Sequence, residues 1–369
     1  MEKGYRILVI NPGSTSTKVA VYDNDNEIFN KNVSHDAEKL KEFGEIQNQL
    51  NYRKETIEAE LQSAGISLND IDIFVGRGGG LLPLKGGTYE VTEKLIEDAS
   101  QAKAGAPHPA QLASQICAMY VKEFGGRAFV VNPPDVDEYC DLARITGFSD
   151  LYRASHIHAL NQKEVALRYC KSNGKKYEEV NLIVCHIGGG ISVAAHEKGN
   201  MIDSNDLLGG EGPMMPTRSG SLPAVPLVKM CFSGKYTEKD ILNRINKSGG
   251  LIDHLGTSDA RDIEKRIESG DKRAKLVYDT MIYQIAKSAG ACAAALKGEV
   301  EAILLTGGIS HSKYVTTNLK EYLDWIAPVV VMAGEFEMEA LAAGALRVLR
   351  GEEEAKEYTG IPVWQGFNF

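Results

Sequence analysis

The sequence predicts an α/β protein of two duplicated domains, each a mixed sheet flanked by helices, with a cleft between the two. Three observations carry this. Continuous apolar runs such as Ile7-Leu8-Val9-Ile10 and Ala302-Ile303-Leu304-Leu305 read as strands buried on both faces, and segments of helical period separate them. A hairpin opens the chain at residues 6–23, in which a strand, a turn of Gly, Ser and Thr, and a returning strand follow one another. The same object recurs at residues 181–203. Asn11 falls on His186 and Gly13 on Gly188, each 175 residues on (186 − 11 and 188 − 13), and after a one-residue slip Val19-Ala20-Val21 falls on Val193-Ala194-Ala195. Flanking strands and trailing polar turns repeat with the glycines, which argues for duplication rather than coincidence. The expected division is residues 1–148, joined by a C-terminal helix at about 338–369, and residues 149–337.

A chain of 369 residues is long enough for two domains with cores of their own. Its 43% apolar and 25% charged residues are ordinary for a soluble globular protein. The 37 glycines are clustered, which suggests several close approaches of bare backbone to a ligand. A net charge of −9 and a pI near 5.5 argue against bulk binding of nucleic acid or anionic membrane. Arginines beside glycine runs then read as local anion sites in an acidic protein. The six cysteines are widely spaced with no Cys-x-x-Cys, the pattern of reduced thiols in a cytosolic protein and not of a disulfide frame or zinc site. The first strand starts by residue 6, leaving no room for a signal peptide, and no apolar run is long enough to span a bilayer. The expected location is the cytoplasm.

In chain order, Asn11-Pro12-Gly13-Ser14-Thr15-Ser16-Thr17-Lys18 collects backbone N–H groups, the hydroxyls of Ser14 and Ser16, and the Lys18 cation at one hairpin tip. Those are the donors a phosphate needs. Residues 38–65 are charged and helical in period, ending at Gly65. The strand at 71–75 runs into Arg77 among glycines, either an exposed turn arginine or one that reaches into a cleft along a cleared approach. A helix is expected from Glu93 to Ala104, then a break at Gly105-Ala106-Pro107, where His108 either caps the helix at 110–124 or faces a ligand. The strand at 127–131 ends in Asn132, Asp135 and Asp137; acidic residues there either hold a magnesium ion or cap the next helix. Residues 147–155 read as the crossing into the second domain. His156 and His158 precede a helix at 159–169, where a histidine is more often a cap or core partner than a catalyst.

The second hairpin presents Gly188-Gly189-Gly190. The loop 209–220 is too rich in glycine and proline for regular structure and sets Arg218 between hydroxyls as a second anion clamp. At 256–264 a helix begins, capped by Ser258 or Asp259, with Arg261 in its first turn. A long helix at 271–296 reads as core. The strand at 302–306 opens through Gly307-Gly308 into a helix, a junction where a nucleotide can lie against bare backbone. After the last strand at 328–332, a helix to Leu349 returns the chain to the first domain.

Several of these pieces together resemble the acetate and butyrate kinase family, within the superfamily of acetokinases, sugar kinases, Hsp70 and actin. They are Ile10-Asn11-Pro12-Gly13-Ser14-Thr15-Ser16-Thr17-Lys18, Arg77-Gly78-Gly79, Ile157-His158-Ala159-Leu160-Asn161-Gln162-Lys163, His186-Ile187-Gly188-Gly189-Gly190-Ile191-Ser192, Arg218-Ser219-Gly220, Gly256-Thr257-Ser258-Asp259-Ala260-Arg261 and Leu305-Thr306-Gly307-Gly308. The match spans essentially the whole chain, and the His-Ala-Leu-Asn-Gln and Gly-Thr-Ser-Asp-Ala-Arg pieces look like the butyrate kinase branch. The resemblance implies two actin/ribonuclease-H-like domains. It further implies reversible, ATP-dependent phosphorylation of a short-chain carboxylate, butyrate or a branched analogue, to its acyl phosphate with Mg2+.

By the same resemblance Asn11 lies near the metal and the transferred phosphoryl group. Arg77 and Arg218 hold the substrate carboxylate and spread the transition-state charge, and His158 and His186 stand near the phosphoryl group, with His186 a donor to it. Gly188, Gly189 and Gly190 lie under the β- and γ-phosphates; Asp259, Arg261, Gly307 and Gly308 take the adenosine side. Glu337 is the magnesium glutamate, with Glu335 in reserve. One departure stands out. Where relatives carry an aspartate after the strand ending in Val131, this chain has Asn132, which orients a metal-bound water but adds no charge. Either Asp135 or Asp137 takes over, or the metal rests on Glu337 and the nucleotide. A homodimer or higher homo-oligomer is also implied.

The chemistry agrees with the residues. A carboxylate substrate is already ionised at neutral pH, so it needs no general base, and the task is to bring two anions together with cations and backbone donors. The acyl tail is expected in an apolar pocket near Leu81, Leu82 and Pro83. An acetate or propionate kinase is the neighbouring alternative. A sugar kinase would need a carboxylate base, and a silent nucleotide binder would not need both arginines.

Overall fold

The structure, a computed structural model, describes residues 4–103 and 107–367. The expected helix end at Ala104 and the break at Gly105 and Ala106 lie outside them; the described helix runs Glu93–Ser100. The strands are β1 (Arg6–Pro12), β2 (Ser16–Asp23), β3 (Asn26–Ser34), β4 (Ile73–Gly76), β5 (Thr88–Glu90), β6 (Arg127–Val131), β7 (Asn181–Ile187), β8 (Ile191–Glu197), β9 (Asn200–Ser204), β10 (Ala302–Thr306) and β11 (Val329–Val331). They form two mixed sheets, ordered β3-β2-β1-β4-β6-β5 and β11-β10-β7-β8-β9. In each, a three-strand antiparallel meander (β1-β2-β3, β7-β8-β9) is extended by parallel strands beside its first member (β4 and β6; β10 and β11). The duplication read from the two hairpins is therefore a duplication of sheet topology.

The slip in the repeat has a structural cause. Four residues separate the paired Pro12 and Thr17, whereas three separate the paired Ile187 and Ile191. Both strands of the first hairpin run further than the apolar pattern suggests, because β1 and β2 pair down to Asn11↔Lys18 and Pro12↔Thr17. The stretch read as one helix at 38–65 is two, Ala37–Glu42 and Leu50–Ser63, interrupted at Gly44, whose φ of 67° ends a helix at little cost.

The chain divides into two compact units: one holds the residues up to Asp137 and those from Phe336 onward, the other Glu138–Glu335. The crossing comes earlier than residue 148, and hydrogen bonds explain why. Asp137 still donates its N–H to Leu84 O. Glu138 Oε2 already takes Lys163 Nζ at 2.9 Å and the Met201 N–H at 2.8 Å, and the Tyr139 hydroxyl reaches Ser204 O. In the first unit β1, β2 and β4 pack on the helices Leu50–Ser63 and Leu112–Phe124 through Leu8, Ile10, Val19, Ile57, Phe74 and Ile116. The second is built on the helix Lys272–Ala295, whose Tyr278, Met281, Ile285 and Ala289 are buried against β7, β8 and β10. That helix is core, as its small-residue face suggests.

Two histidines are folded into these cores as neutral rings. His35 bonds Thr17 Oγ1 at 2.8 Å, and burial, with Arg53 nearby, brings its pKa down to about 4. His196 is fully buried, and burial, then Lys163, brings it down to about 3. The unfolded chain, with ordinary histidines near 6.5, binds protons that the folded chain refuses as pH falls from 6.5 towards 4. Stability is therefore full above about pH 6.5 and is lost below it, on the order of 2 kcal/mol per histidine by pH 5. Urea midpoints should drop clearly between pH 7 and pH 5; equal midpoints would contradict the neutral burial of these rings.

Candidate active site

In the first unit, Asn11 and Lys18 face each other across β1 and β2, and the helix Glu337–Leu349 brings its first residue to the same spot. Asn11 Nδ2 donates to Glu337 Oε2 at 2.9 Å, and Lys18 Nζ lies 3.9 Å from the same oxygen. Arg77 follows β4 and donates from Nη1 to the Asn132 carbonyl at 3.2 Å. Burial pushes the Arg77 guanidinium down; Glu337 and Asp135, in that order, push it back up. Glu337 thus sits among an amide donor, a lysine and an arginine.

Beneath the hairpin tip lies a residue that sequence reading passed over. Arg53 is fully buried, and its guanidinium donates to Ser16 O (3.2 Å), Thr17 Oγ1 (3.0 Å), Ser14 O (3.3 Å) and twice to Gln49 Oε1. It binds the carbonyls of Ser14 and Ser16 from below. Burial brings it down to about 10. Nothing in a charged helical stretch singles out one arginine as the support of a loop 37 residues earlier in the chain.

Asn132 departs from its expected role. It stands at the end of β6 with φ 38°, a left-handed conformation that asparagine tolerates, and its Oδ1 accepts the Gly87 N–H at 2.7 Å. The side-chain oxygen expected near a metal holds the Gly87 N–H just before β5, while the Asn132 carbonyl accepts from Arg77. His108 settles as a cap: its Nδ1 accepts the Ala110 N–H, and Gln111 closes a capping box.

In the second unit, β7 and β8 present Gly188-Gly189-Gly190 as a three-residue loop closed by Gly188 N to Gly190 O at 3.1 Å. His186 and His158 stack beside it with ring centroids 3.8 Å apart and planes 16° off parallel. His158 stands at the N-terminus of the helix Ala159–Ser172 but does not cap it; its Nδ1 lies 2.8 Å from Ser192 Oγ. His186 Nδ1 lies 2.8 Å from Asn161 Oδ1, and Asn161 Nδ2 is buried without a hydrogen-bond partner among the described residues. A Cβ on Gly190 would collide with Arg218 Nη1, and one on Gly188 would lie 3.1 Å from His186 Nε2 and 3.3 Å from Glu335 Oε1. Loop, histidines, Arg218 and Glu335 therefore share one small volume. Burial pushes the Arg218 guanidinium down, and its Nε has no hydrogen-bond partner among the described residues.

Gly307 closes the floor of this loop. Its φ is 88°, and a Cβ there would lie 2.5 Å from Ile187 O, so only glycine fits. Gly189 and Gly308 face open space. Asp259 caps the helix Ala260–Glu268 and pairs with Arg261 at 2.6 Å, which holds its carboxyl down at about 2. Ser14 is exposed and Ser16 half-buried at the first tip. Each unit thus holds one cationic, glycine-lined group of site residues: Asn11, Lys18, Arg77 and Glu337 in the first, and His158, His186, the Gly188–Gly190 loop and Arg218 in the second.

The chain is 46% identical over 354 residues to butyrate kinase 1 of Clostridium acetobutylicum, an alignment covering 96% of this chain and 99% of that protein. It belongs to the acetokinase family. A profile of that family, described as the Acetokinase family, matches residues 151–326. Among solved structures, acetate kinase of Porphyromonas gingivalis superposes with a TM-score of 0.75 at 21% identity, over 94% of this chain and all of that one. A propionate kinase of Francisella tularensis superposes with a TM-score of 0.71 at 19% identity, over 92% and 98%. At those identities the likeness is one of fold, and it is the fold of two mixed sheets flanked by helices seen here.

Residues that sequence reading left unassigned support the first hairpin from behind, and Arg53 is the clearest. Arg53→Met should strip donors from two carbonyls, a hydroxyl and an amide at once. Thermal or urea unfolding is expected to show a loss of about 2–4 kcal/mol. An unchanged midpoint would mean that the hairpin tip does not depend on Arg53.

Proposed function

We propose that this chain transfers the γ-phosphoryl group of ATP reversibly and in line to a short-chain carboxylate, butyrate or a branched analogue, forming the acyl phosphate. The observation that carries the reading is the donor set of each group, Arg77 with Asn11 and Lys18 in one and Arg218 against the Gly188–Gly190 loop in the other, which suits anions. An ionised acid attacks without deprotonation, and the barrier lies in bringing it against ATP. Arg77 and Arg218 hold the carboxylate and take up the equatorial charge. The Gly188–Gly190 loop offers backbone N–H groups to the β- and γ-phosphates, and Ser14, Ser16 and Lys18 do the same from the other hairpin. Asp259, Arg261, Gly307 and Gly308 receive the adenosine. In this reading the chain works in the cytoplasm as a homodimer or larger homo-oligomer.

Among the described residues no three His, Cys, Asp or Glu side chains gather as a metal cluster. Mg2+ does not require one, since it is commonly held by one or two carboxylates with the remaining positions filled by phosphate oxygens and water. Glu337, steered by Asn11, suits that part, so we assign the metal to Glu337 and Asn11 and not to Asn132. When bound, the ion neutralises charge between the β- and γ-phosphates. For the acyl tail, Leu81 is fully packed, which leaves half-buried Leu82 and Pro83 to meet it.

Hydroxylamine trapping with ATP, Mg2+ and acetate, propionate, butyrate or isobutyrate tests the proposal. Hydroxamate should form fastest with the four-carbon acids. A strong preference for acetate would overturn the substrate class, and no hydroxamate with any acid, while ATP still binds, would overturn the reaction.

A further inference from the structure

Behind the stacked histidines runs a chain of buried polar groups to which the reaction above gives no role. Gln162 Nε2 donates to Ser192 O at 3.1 Å and to Ser192 Oγ at 2.8 Å. A backbone carbonyl only accepts, so the orientation of the Gln162 amide is fixed, and its Oε1 must face the other way. There it meets His196 Nε2 at 2.9 Å, which makes that nitrogen the N–H donor. His196 Nδ1 is then the acceptor of the Tyr177 hydroxyl, 2.6 Å away. Tyr177, His196, Gln162 and Ser192 are all buried, and burial keeps His196 neutral, as this polarity needs.

At the other end, the Ser192 oxygen already accepts from Gln162. Its only other hydrogen-bond partner among the described residues is His158 Nδ1, at 2.8 Å. A buried hydroxyl proton needs an acceptor, and Nδ1 is the one within reach. Ser192 therefore donates, and His158 Nδ1 is a bare acceptor. We propose that the relay Tyr177–His196–Gln162–Ser192 sets His158 as the neutral Nε2–H tautomer and so presents a fixed hydrogen-bond donor to the phosphoryl group at the Gly188–Gly190 loop. His158 Cε1, next to Nε2 in the ring, lies 3.3 Å from where a Gly190 Cβ would stand, so this edge of the ring faces the loop.

The charged and titratable groups around the device are the stacked His186, Arg218 beyond Gly190, Glu335 beside Gly188, and Lys163, whose ammonium is paired with Glu138 at 2.9 Å. None of them meets Ser192 or Gln162 in a hydrogen bond. The donor at Nε2 thus needs no proton from solution. Gln162, Ser192, His196 and Tyr177 are positioning residues in this account, acting on the anion only through His158; the last step rests on the kinase reading, the tautomer does not.

The test is the tautomer itself. In protein labelled with 15N-histidine, long-range 1H–15N correlation of His158, assigned by its loss in His158→Gln, should show a protonated Nε2 and a bare Nδ1. Gln162→Glu keeps the shape but replaces a donor by an acceptor. Ser192 then turns its proton to the carboxylate, and His158 should move to the Nδ1–H form. In that variant kcat should fall about 100-fold with little change in KM, as when one oxyanion donor is lost. Activity should recover towards acid pH, where a protonated Glu at 162 donates to Ser192 again. If that variant does not fold, Ser192→Ala should give a mixture of both tautomers. A wild-type His158 protonated at Nδ1, or a tautomer unmoved in Gln162→Glu or Ser192→Ala, overturns the relay. The expected tautomers with no phosphoryl transfer in the wild type would leave the relay standing and sink the kinase reading instead.

Discussion

Arg218 keeps a buried guanidinium N–H that no group among the described residues accepts. It lies half-buried against the glycine loop, burial lowers its pKa, and its Nε meets no acceptor. Desolvating a guanidinium without a partner is costly, and a fold keeps such a group where an anion is to be met. The surrounding residues serve this one charge. Gly190 leaves room for it, Gly307 lets the loop lie on bare backbone, and the stacked histidines line the same volume. In the first unit Arg77 is in a related position, but Glu337 and Asp135 soften it.

Arg53 shows the other use of a buried guanidinium. Every donor it directs at the first hairpin has an acceptor, so it acts as structure, holding the carbonyls of Ser14 and Ser16 below the tip. A polar group fully paired inside a protein rigidifies its surroundings, whereas one left unpaired is a liability unless a ligand completes it. The two arginines divide along that line.

Much of this was legible in the sequence because strands and glycine turns are local. Ile7–Ile10 and Leu182–Cys185 announce themselves as buried strands, and the repeat at 175 residues announces the duplication. Asn11, Arg77, His186 and Arg218 stand beside glycines, where a ligand is expected. What stayed hidden depends on contacts distant in the chain. Asn132 reads as a metal ligand until its φ and its bond to Gly87 are seen. Arg53, Ser192, His196 and Tyr177 are ordinary residues whose work comes from partners 19 or more positions away. The change of unit at Glu138 was likewise set by Lys163 and Met201 and not by any local break.

The central claim is that Arg218 is held for an anion at a cost to the fold. Thermal unfolding of the wild type and of Arg218→Met, each with and without inorganic pyrophosphate, tests it most directly. The account predicts that the variant melts higher than the wild type without the anion, and that pyrophosphate raises the melting temperature of the wild type alone. A variant that melts lower and is still stabilised by pyrophosphate would contradict it.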